Sequence, residues 1–307
     1  MKIGFEYRTI KAAKRNDLRN PITAAFKALE DAVRQSQYTL TDVRDADVVF
    51  VFGSITERKT QTERYLVIDA LRKSGKHILS IDSGLFGTYI RQKLQNPESH
   101  FFRIGYGDCT GEGDILVEGM DSQRLDWFMK SFDFKIKEPK ADIGDILFIG
   151  QSEKGWQYNN LEPFAEWAEN AITKLRETTD RKIIYRIHPT DASAIRALVN
   201  KFDNFKMTSG SRARVGIIDD LSKTTTSITH SSSAALESLV EGNHTIALDK
   251  RCIVKNACAN DYNTNMPWDK RDQYLKDFAY TTWHVSEMAN PQLIDFYINL
   301  IKDKKCH

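Results

Sequence analysis

The chain has 307 residues, of which 41% are hydrophobic and 28% are charged, and its formal net charge is only +2. These values are ordinary for a soluble globular protein, the length suits two domains of about 150 residues each, and the small net charge excludes a polycation. The longest apolar run, VVFVF at 48–52, falls far short of the roughly 20 residues that a membrane-spanning helix needs.

The first half of the chain alternates between buried strands and amphipathic helices. Its first residues, MKIGFEYRTIK, turn basic within eight positions and contain no apolar core, so we expect no signal peptide and a cytoplasmic protein. Strands are predicted at 2–7, 46–52, 77–81 and 101–107, and helices at 21–35, 61–74 and 122–132. Continuously apolar strands separated by helices are typical of a parallel sheet that is covered on both faces.

The same pattern begins again after a polar linker at 135–142. Strands are predicted at 145–149, 182–187, 205–208, 227–229 and 245–248, and helices at 161–176, 191–202, 232–241, 270–278 and 291–302. The pattern predicts an α/β fold of two Rossmann-like, doubly wound domains that face each other across a cleft. We place the N-terminal domain at 1–140, the C-terminal domain at 141–285, and at 286–307 a C-terminal helix that packs back on the N-terminal domain.

A serine-rich segment in the second half opens a predicted helix. Ser231, Ser232 and Ser233 lie at the helix start, where unpaired backbone N–H groups and the helix dipole favour a phosphate. Glu237 lies one turn further along the same face, where its carboxylate suits ribose hydroxyl groups. The alternative interpretation is that the serines only cap the helix and that Glu237 is solvated.

A second polar pair ends a neighbouring strand. Arg186 and His188 are two residues apart on a predicted strand, so their side chains point the same way, and Pro189 ends the strand. A guanidinium beside an imidazole at a carboxyl strand end suits a diphosphate. The alternative is that His188 is a buried core residue and that Arg186 pairs with Asp191.

The two segments together resemble a known family. A strand that ends in His-Pro, followed some forty residues later by His-Ser-Ser-x-x-x-x-Glu-Ser-Leu-x-x-Gly, is similar to the GT-B glycosyltransferases, and within them to the capsule-type group that includes Kdo and glycerophosphate transferases. The resemblance implies a donor site in the C-terminal domain, an acceptor site in the N-terminal domain, and no required cofactor or metal. It implies a UDP-sugar donor, with a CMP- or CDP-linked donor as the alternative. The donor-binding residues that it indicates are Gln151, Arg186, His188, Thr229, His230, Ser231, Ser232, Ser233 and Glu237.

Segments at 148–151 and 271–288 further resemble phage-encoded proteins of this fold, some of which glycosylate hydroxymethylcytosine in phage DNA. That likeness implies a glucosyl- or arabinosyltransferase in the host cytoplasm whose partner is double-stranded DNA with a modified base. A basic run near the N-terminus agrees with a DNA-binding arm, although such runs are also common on solvated surfaces. Its members are Arg8, Lys11, Lys14, Arg15 and Arg19.

The catalytic base is less well indicated. A transferase that inverts the sugar's configuration needs a general base near the acceptor hydroxyl, and the candidates are Asp82 first, then Glu6 and Asp108. Each is also explained as a structural cap, and a retaining enzyme needs no such base. The four cysteines form no CxxC pair, so no zinc site is predicted. The alternative functions are a surface-polysaccharide transferase of the same fold and a non-catalytic nucleotide-binding module.

Overall fold

The computed structural model describes residues 1–10, 20–53, 63–84, 86–91, 101–107, 117–151, 162–188, 198, 201–208 and 216–305. The chain divides into two compact units. The first unit comprises Met1–Ser131 and Leu275–His307, and the second comprises Phe132–Tyr274. The boundaries predicted from the sequence lie after positions 140 and 285. The helix Trp268–Ala279 therefore begins in the second unit and ends in the first.

The first unit is built on a six-stranded sheet. Its strands are β1 (Lys2–Phe5), β2 (Thr39–Leu40), β3 (Val48–Phe52), β4 (His77–Ser83), β5 (Phe101–Tyr106) and β11 (Thr282–His284). The strand order is β11-β5-β4-β3-β1-β2, and β2, β1, β3 and β4 run parallel. The prediction of a parallel sheet fails at β5, which is antiparallel to both β4 and β11. The apolar pattern of a strand marks its burial and not its direction, so the sequence did not reveal this reversal.

Five α-helices of the described chain lie wholly in the first unit, at Pro21–Gln35, Glu63–Lys73, Gly87–Arg91, Val285–Met288 and Pro291–Lys305. A sixth, Gln123–Phe132, ends one residue past the unit's boundary. The helix Pro21–Gln35 has proline in its first turn, and its N-cap residue Asn20 accepts a hydrogen bond from the backbone N–H of Ile22. The helix Pro291–Lys305 contributes five buried residues to the core around β1: Leu293, Ile294, Tyr297, Ile298 and Ile301.

The second unit is built on a five-stranded sheet in which every strand is parallel. Its strands are β6 (Ile146–Ile149), β7 (Ile183–Arg186), β8 (Phe205–Thr208), β9 (Thr226–Thr229) and β10 (His244–Ala247), in the order β10-β9-β6-β7-β8. Helix Phe164–Arg176 covers one face of the sheet, where it forms a core with the strand residues Phe148, Tyr185 and Ile228. Helix Gly216–Ser222 packs on the other face against Leu147 and Ile149. The prediction of two Rossmann-like α/β units is thereby confirmed.

The predicted helix at 191–202 falls mostly outside the described residues. In the part of the chain that the structure describes, the helices are too short or too polar to cross a membrane.

Candidate functional site

The strand order of the second unit locates its binding crevice. The chain passes from β6 to β7 and β8 on one side, then returns to form β9 and β10 on the other. In an open parallel sheet, ligands bind outside the carboxyl ends of the strands at such a switch point. Here the switch point lies between β6 and β9. Gln151 follows β6, Ser231 follows β9, and the two side chains meet at this point, with Gln151 Nε2 3.1 Å from Ser231 Oγ.

Gly150, which precedes Gln151, allows the end of β6 to lie close to the end of β7. Its N–H donates to the carbonyl of Arg186, 2.9 Å away, and so ties the end of β6 to the end of β7. A Cβ atom at Gly150 would lie only 2.5 Å from Tyr185 Oη and 2.8 Å from the same carbonyl oxygen, closer than a side chain tolerates. The next residue, Gln151, has a buried Oε1 that accepts no hydrogen bond from any residue that the structure describes. That oxygen is suited to accept one from a ligand.

A chain of hydrogen bonds links Ser231 to residues beyond β10. Ser231 Oγ lies 3.0 Å from Nδ1 of His230, and Nε2 of His230 lies 3.2 Å from Oδ2 of Asp249. Asp249 is held in turn by Arg251, whose Nε and Nη2 lie 2.6 and 2.9 Å from its two carboxylate oxygens. The group therefore joins the carboxyl ends of β6, β9 and β10.

The charge of Asp249 determines the protonation of its neighbour. Burial alone would raise the pKa of this carboxyl group, but hydrogen bonds from His230 and Arg251 outweigh burial and hold the pKa far below its usual range. The carboxylate is therefore ionised near neutral pH and can only accept hydrogen bonds. A neutral His230 must then carry its proton on Nε2. The ring of Trp167 packs against this imidazole edge-on, with centroids 5.0 Å apart.

The other residues of the serine-rich segment have mainly local contacts. Thr229 is fully buried, and its Oγ1 accepts a hydrogen bond from the N–H of Ser232. Ser232 Oγ accepts from the N–H of Ala234, whereas Ser233 is the N-cap residue of helix Ala234–Val240 and makes no side-chain capping bond. Glu237 is buried, not solvated as the alternative interpretation had it.

Arg186 has a protein partner in the structure. Its Nη1 pairs with the carboxylate of Asp220 and lies 3.0 Å from the carbonyl oxygen of Gly216, both in the helix Gly216–Ser222. The sequence had offered a diphosphate or Asp191 as its partner, and Asp191 lies outside the described residues. His188, which follows β7, is half-buried.

A cavity of about 280 Å³ opens beyond the carboxyl end of β10. Asp249 lines it, so the cavity adjoins the hydrogen-bonded group. Two cations and two amides line it as well, together with Ala247 and Leu248: Lys250, Lys255, Asn256 and Asn260. Asp249, Arg251 and these four residues were not predicted from the sequence. The available signal was their position, because they follow a predicted strand at the same sheet edge as Ser231.

The first unit holds two of the proposed catalytic bases. Glu6 is buried at the carboxyl end of β1, and its carboxylate accepts hydrogen bonds from Arg8 Nε and Nη2 at 2.9 and 2.6 Å. Asp82 is in β4, with Oδ2 3.5 Å from Nη2 of Arg103, and accepts from the N–H of Ser83. The remaining predicted residues lie outside the described part of the chain: Lys11, Lys14, Arg15, Arg19 and Asp108.

No cluster of three metal-binding side chains occurs within the described residues. Two aromatic residues near the C-terminus have packing and hydrogen-bond contacts within the protein. Trp283 Nε1 donates to Tyr297 Oη at 3.0 Å, and its ring lies beneath the guanidinium of Arg124. Tyr280 Oη donates to the carboxylate of Asp121.

Two Rossmann-like α/β units, one with a polar crevice at its switch point, define a GT-B-like fold. Solved structures show the same fold. KpsC β-Kdo 2,7 transferase from Thermosulfurimonas dismutans matches with a TM-score of 0.50 and 12% identity over 95% of this chain and 98% of that chain. KpsC β-Kdo 2,4 transferase from the same organism matches with a TM-score of 0.51 and 14% identity over 92% and 90% of the two chains. No protein-family model matches the sequence, and no curated protein does so.

Proposed function

We propose that the protein is a glycosyltransferase that moves a sugar from a nucleotide-sugar to a hydroxyl acceptor and binds the donor at the carboxyl edge of the second unit's sheet. The observation that supports this most is the hydrogen-bonded group of Gln151, Ser231, His230 and Asp249 at the switch point. The GT-B-like fold shared with two Kdo transferases agrees with the proposal.

The adjoining cavity supplies the groups that a nucleotide needs. Its volume of about 280 Å³ is at the lower limit of the roughly 300–1,000 Å³ of small-molecule pockets, so we assign it to one part of the donor, the nucleoside. Asn256 and Asn260 offer amides to the base edge, and Lys250 and Lys255 offer positive charge to the phosphates. Fixed cations also stabilise the negative charge that develops on the departing nucleotide.

For the acceptor we propose a 5-hydroxymethylated base in double-stranded DNA, which receives glucose or arabinose. The support is the basic segment 8–19 and the phage-like segment 271–288. The basic segment begins three residues after β1 ends, and the switch point of the first sheet lies between β1 and β3. Lysine and arginine side chains of this segment would bind DNA phosphates.

Asp82 is the better of the two described candidates for the general base. Its side chain is 31% exposed, whereas that of Glu6 is 5% exposed and is held by Arg8 through two hydrogen bonds. A base must reach the proton of an acceptor hydroxyl directly or through one water molecule. The half-buried carboxylate of Asp82 is the more accessible of the two.

The test supplies UDP-glucose, UDP-arabinose or a CMP-linked sugar together with duplex DNA that contains hydroxymethylcytosine. Nucleotide release and the mass of the DNA are measured, with unmodified DNA and a glycan as the other acceptors. Ser231→Ala and the double variant Lys250→Ala/Lys255→Ala should each bind donor at least about tenfold more weakly. The matched control is Ser222→Ala, because Ser222 is an exposed serine of the same unit.

The outcomes separate the functions. Release that requires hydroxymethylated DNA supports both the donor and the acceptor assignments. Release with the glycan alone keeps the transferase and rejects the DNA acceptor, and it favours a surface-polysaccharide transferase. Tight nucleotide binding without transfer to any acceptor indicates a binding module. If no nucleotide binds, the donor site itself is wrong.

A further inference from the structure

Ser231 has a hydroxyl group whose hydrogen-bonding capacity can be counted. A hydroxyl offers one proton and two acceptor positions. Gln151 Nε2 donates to Ser231 Oγ and fills one acceptor position. On the other side lies Nδ1 of His230, 3.0 Å away. The direction of the remaining bond depends on whether Nδ1 carries a proton.

In the neutral imidazole, Nδ1 carries none. Asp249 is an ionised acceptor 3.2 Å from Nε2 and therefore holds the single ring proton there. Nδ1 is then an acceptor, and the hydroxyl proton of Ser231 must point at it. Ser231 Oγ is left with one acceptor position and no donor, which is the wrong arrangement for a phosphate.

In the imidazolium, both ring nitrogens donate. Nδ1–H fills the second acceptor position of Ser231 Oγ, because Gln151 already occupies the first. The hydroxyl proton can then point only away from both neighbours, toward the crevice at the switch point. Protonation of His230 thus turns Ser231 from an acceptor into a donor.

We propose that His230 is a positioning residue that, when protonated, directs the Ser231 hydroxyl proton to a phosphate of the bound nucleotide. The proposal rests on the proposed function, because it assumes a phosphate-bearing ligand in this crevice. Ser231 touches the ligand, whereas His230 and Asp249 act through it. Ligand binding is therefore linked to uptake of one proton.

The groups around the imidazole agree with this role. Asp249 faces Nε2, and Arg251 lies behind Asp249 with two hydrogen bonds to it. From helix Phe164–Arg176 the neighbour is Trp167, which is uncharged. The carboxylate of Asp249 is matched by the guanidinium of Arg251, and a charged imidazole adds the positive charge that an incoming phosphate favours.

The sign of the pH dependence follows from the proton count. Affinity should be highest at low pH and should weaken as the pH rises, by up to tenfold per pH unit while one proton is taken up on binding. The total change should be about tenfold or more, the worth of one hydrogen bond to a charged group.

The experiment measures calorimetric binding of UDP-glucose and of a CMP-linked sugar between about pH 5.5 and about pH 8.5. Both probes are phosphate diesters and lack the ionisation near pH 6 that a phosphate monoester would add. The variants are Ser231→Ala, His230→Gln and Asp249→Asn. The control is His244→Gln, since His244 Nδ1 lies 3.3 Å from Asp142 at the opposite end of the same sheet.

His230→Gln and Ser231→Ala should bind weakly at every pH, with a flat profile, and His244→Gln should keep the wild-type profile. Asp249→Asn gives the sharpest result. Oδ1 of Asp249 accepts from two donors of Arg251, the backbone N–H and Nε, whereas Oδ2 accepts from one, Nη2, so the amide oxygen of the variant should take the Oδ1 position. The amide nitrogen then faces Nε2 of His230 and moves the ring proton to Nδ1. Affinity should remain near the wild-type value at low pH and no longer depend on pH.

A wild-type profile without pH dependence, or one that His230→Gln leaves unchanged, would overturn the role proposed for His230 while leaving the donor site in place. Failure of the wild-type protein to bind either probe would overturn the proposed function and the role of His230 together. Equal loss of the profile in His244→Gln would show that the effect is a general one of stability. Thermal unfolding of each variant identifies any that fail to fold, and ¹⁵N chemical shifts of the imidazole in Asp249→Asn report the tautomer directly.

Discussion

Replacement of Arg186 by methionine tests whether this arginine stabilises the fold or binds the donor. The side chains of Arg186 and Asp220 are only 8% and 18% exposed, so the substitution leaves a largely buried carboxylate without its cation. Loss of one partner of a buried ion pair costs about 3–5 kcal/mol, and the partial exposure of Asp220 favours the lower figure. The carbonyl of Gly216 also loses a donor. We therefore expect a loss of about 3 kcal/mol in the free energy of unfolding, or a Tm lower by roughly 10 °C.

The double variant Arg186→Met/Asp220→Leu separates the two roles. It removes both charges together and should recover most of the lost stability, because a buried pair can be replaced by apolar residues at little cost. Denaturant unfolding measures stability, and UDP-glucose binding measures function. If Arg186→Met lowers the free energy of unfolding by less than about 1 kcal/mol, the stabilising role is refuted. A stable double variant that no longer binds donor would show instead that Arg186 is a donor ligand, as the sequence predicted.

Three further changes test the described contacts. Gly150→Ala should lower the Tm more than Gly75→Ala. A Cβ at Gly150 would lie 2.8 Å from a backbone carbonyl oxygen, whereas a Cβ at Gly75 meets nothing within 4 Å and alanine there bears only the cost of a left-handed backbone, φ 74°. A smaller effect at Gly150 would contradict the packing. Arg124→Met should cost about 3 kcal/mol in unfolding free energy, since Arg124 makes two 2.9 Å bonds to Glu287; unchanged amide hydrogen exchange in helix Val285–Met288 would count against this. The folded-state pKa of Asp249 is lowered, so its contribution to stability is present above the unfolded pKa of about 3.9 and is lost as the pH falls below it; Asp249→Asn should therefore unfold with a weaker acid dependence than the wild type.

Most strands and helices could be predicted from the sequence, because continuous apolar runs mark buried strands and helical spacing marks the helices that cover them. The short strands β2 and β11 were not predicted. The helix Gly216–Ser222 was not predicted. It has seven residues, which is fewer than two full turns, so too few apolar positions recur for the helical spacing to stand out. Asp220 lies in this helix, and for that reason the partner of Arg186 could not be named from the sequence.

The residues of the site also differ in whether the sequence could predict them. Ser231 and His230 were predicted because a short local pattern identifies them. Asp249 and Arg251 were missed because their role depends on the pairing of β9 with β10, which brings residues some twenty positions apart to one sheet edge. Gln151 was indicated by a resemblance alone, and the structure adds its hydrogen bond to Ser231. A linear pattern carries the identity of such residues but not the contacts between neighbouring strand ends.

The described residues of the second unit include two histidine–carboxylate pairs, and their positions distinguish them better than their residue types do. His244 and Asp142 lie at the amino ends of the strands, where Arg181 Nη1 is 2.6 Å from the carboxylate and Thr226 also donates to it. Burial, opposed by these hydrogen bonds, leaves the pKa of Asp142 lowered, much as for Asp249. The same chemistry is therefore present at both ends of one sheet. Only at the carboxyl end does the histidine touch a hydroxyl group at the switch point beside a cavity, and that conjunction, not the pair itself, is the reason to assign function to His230.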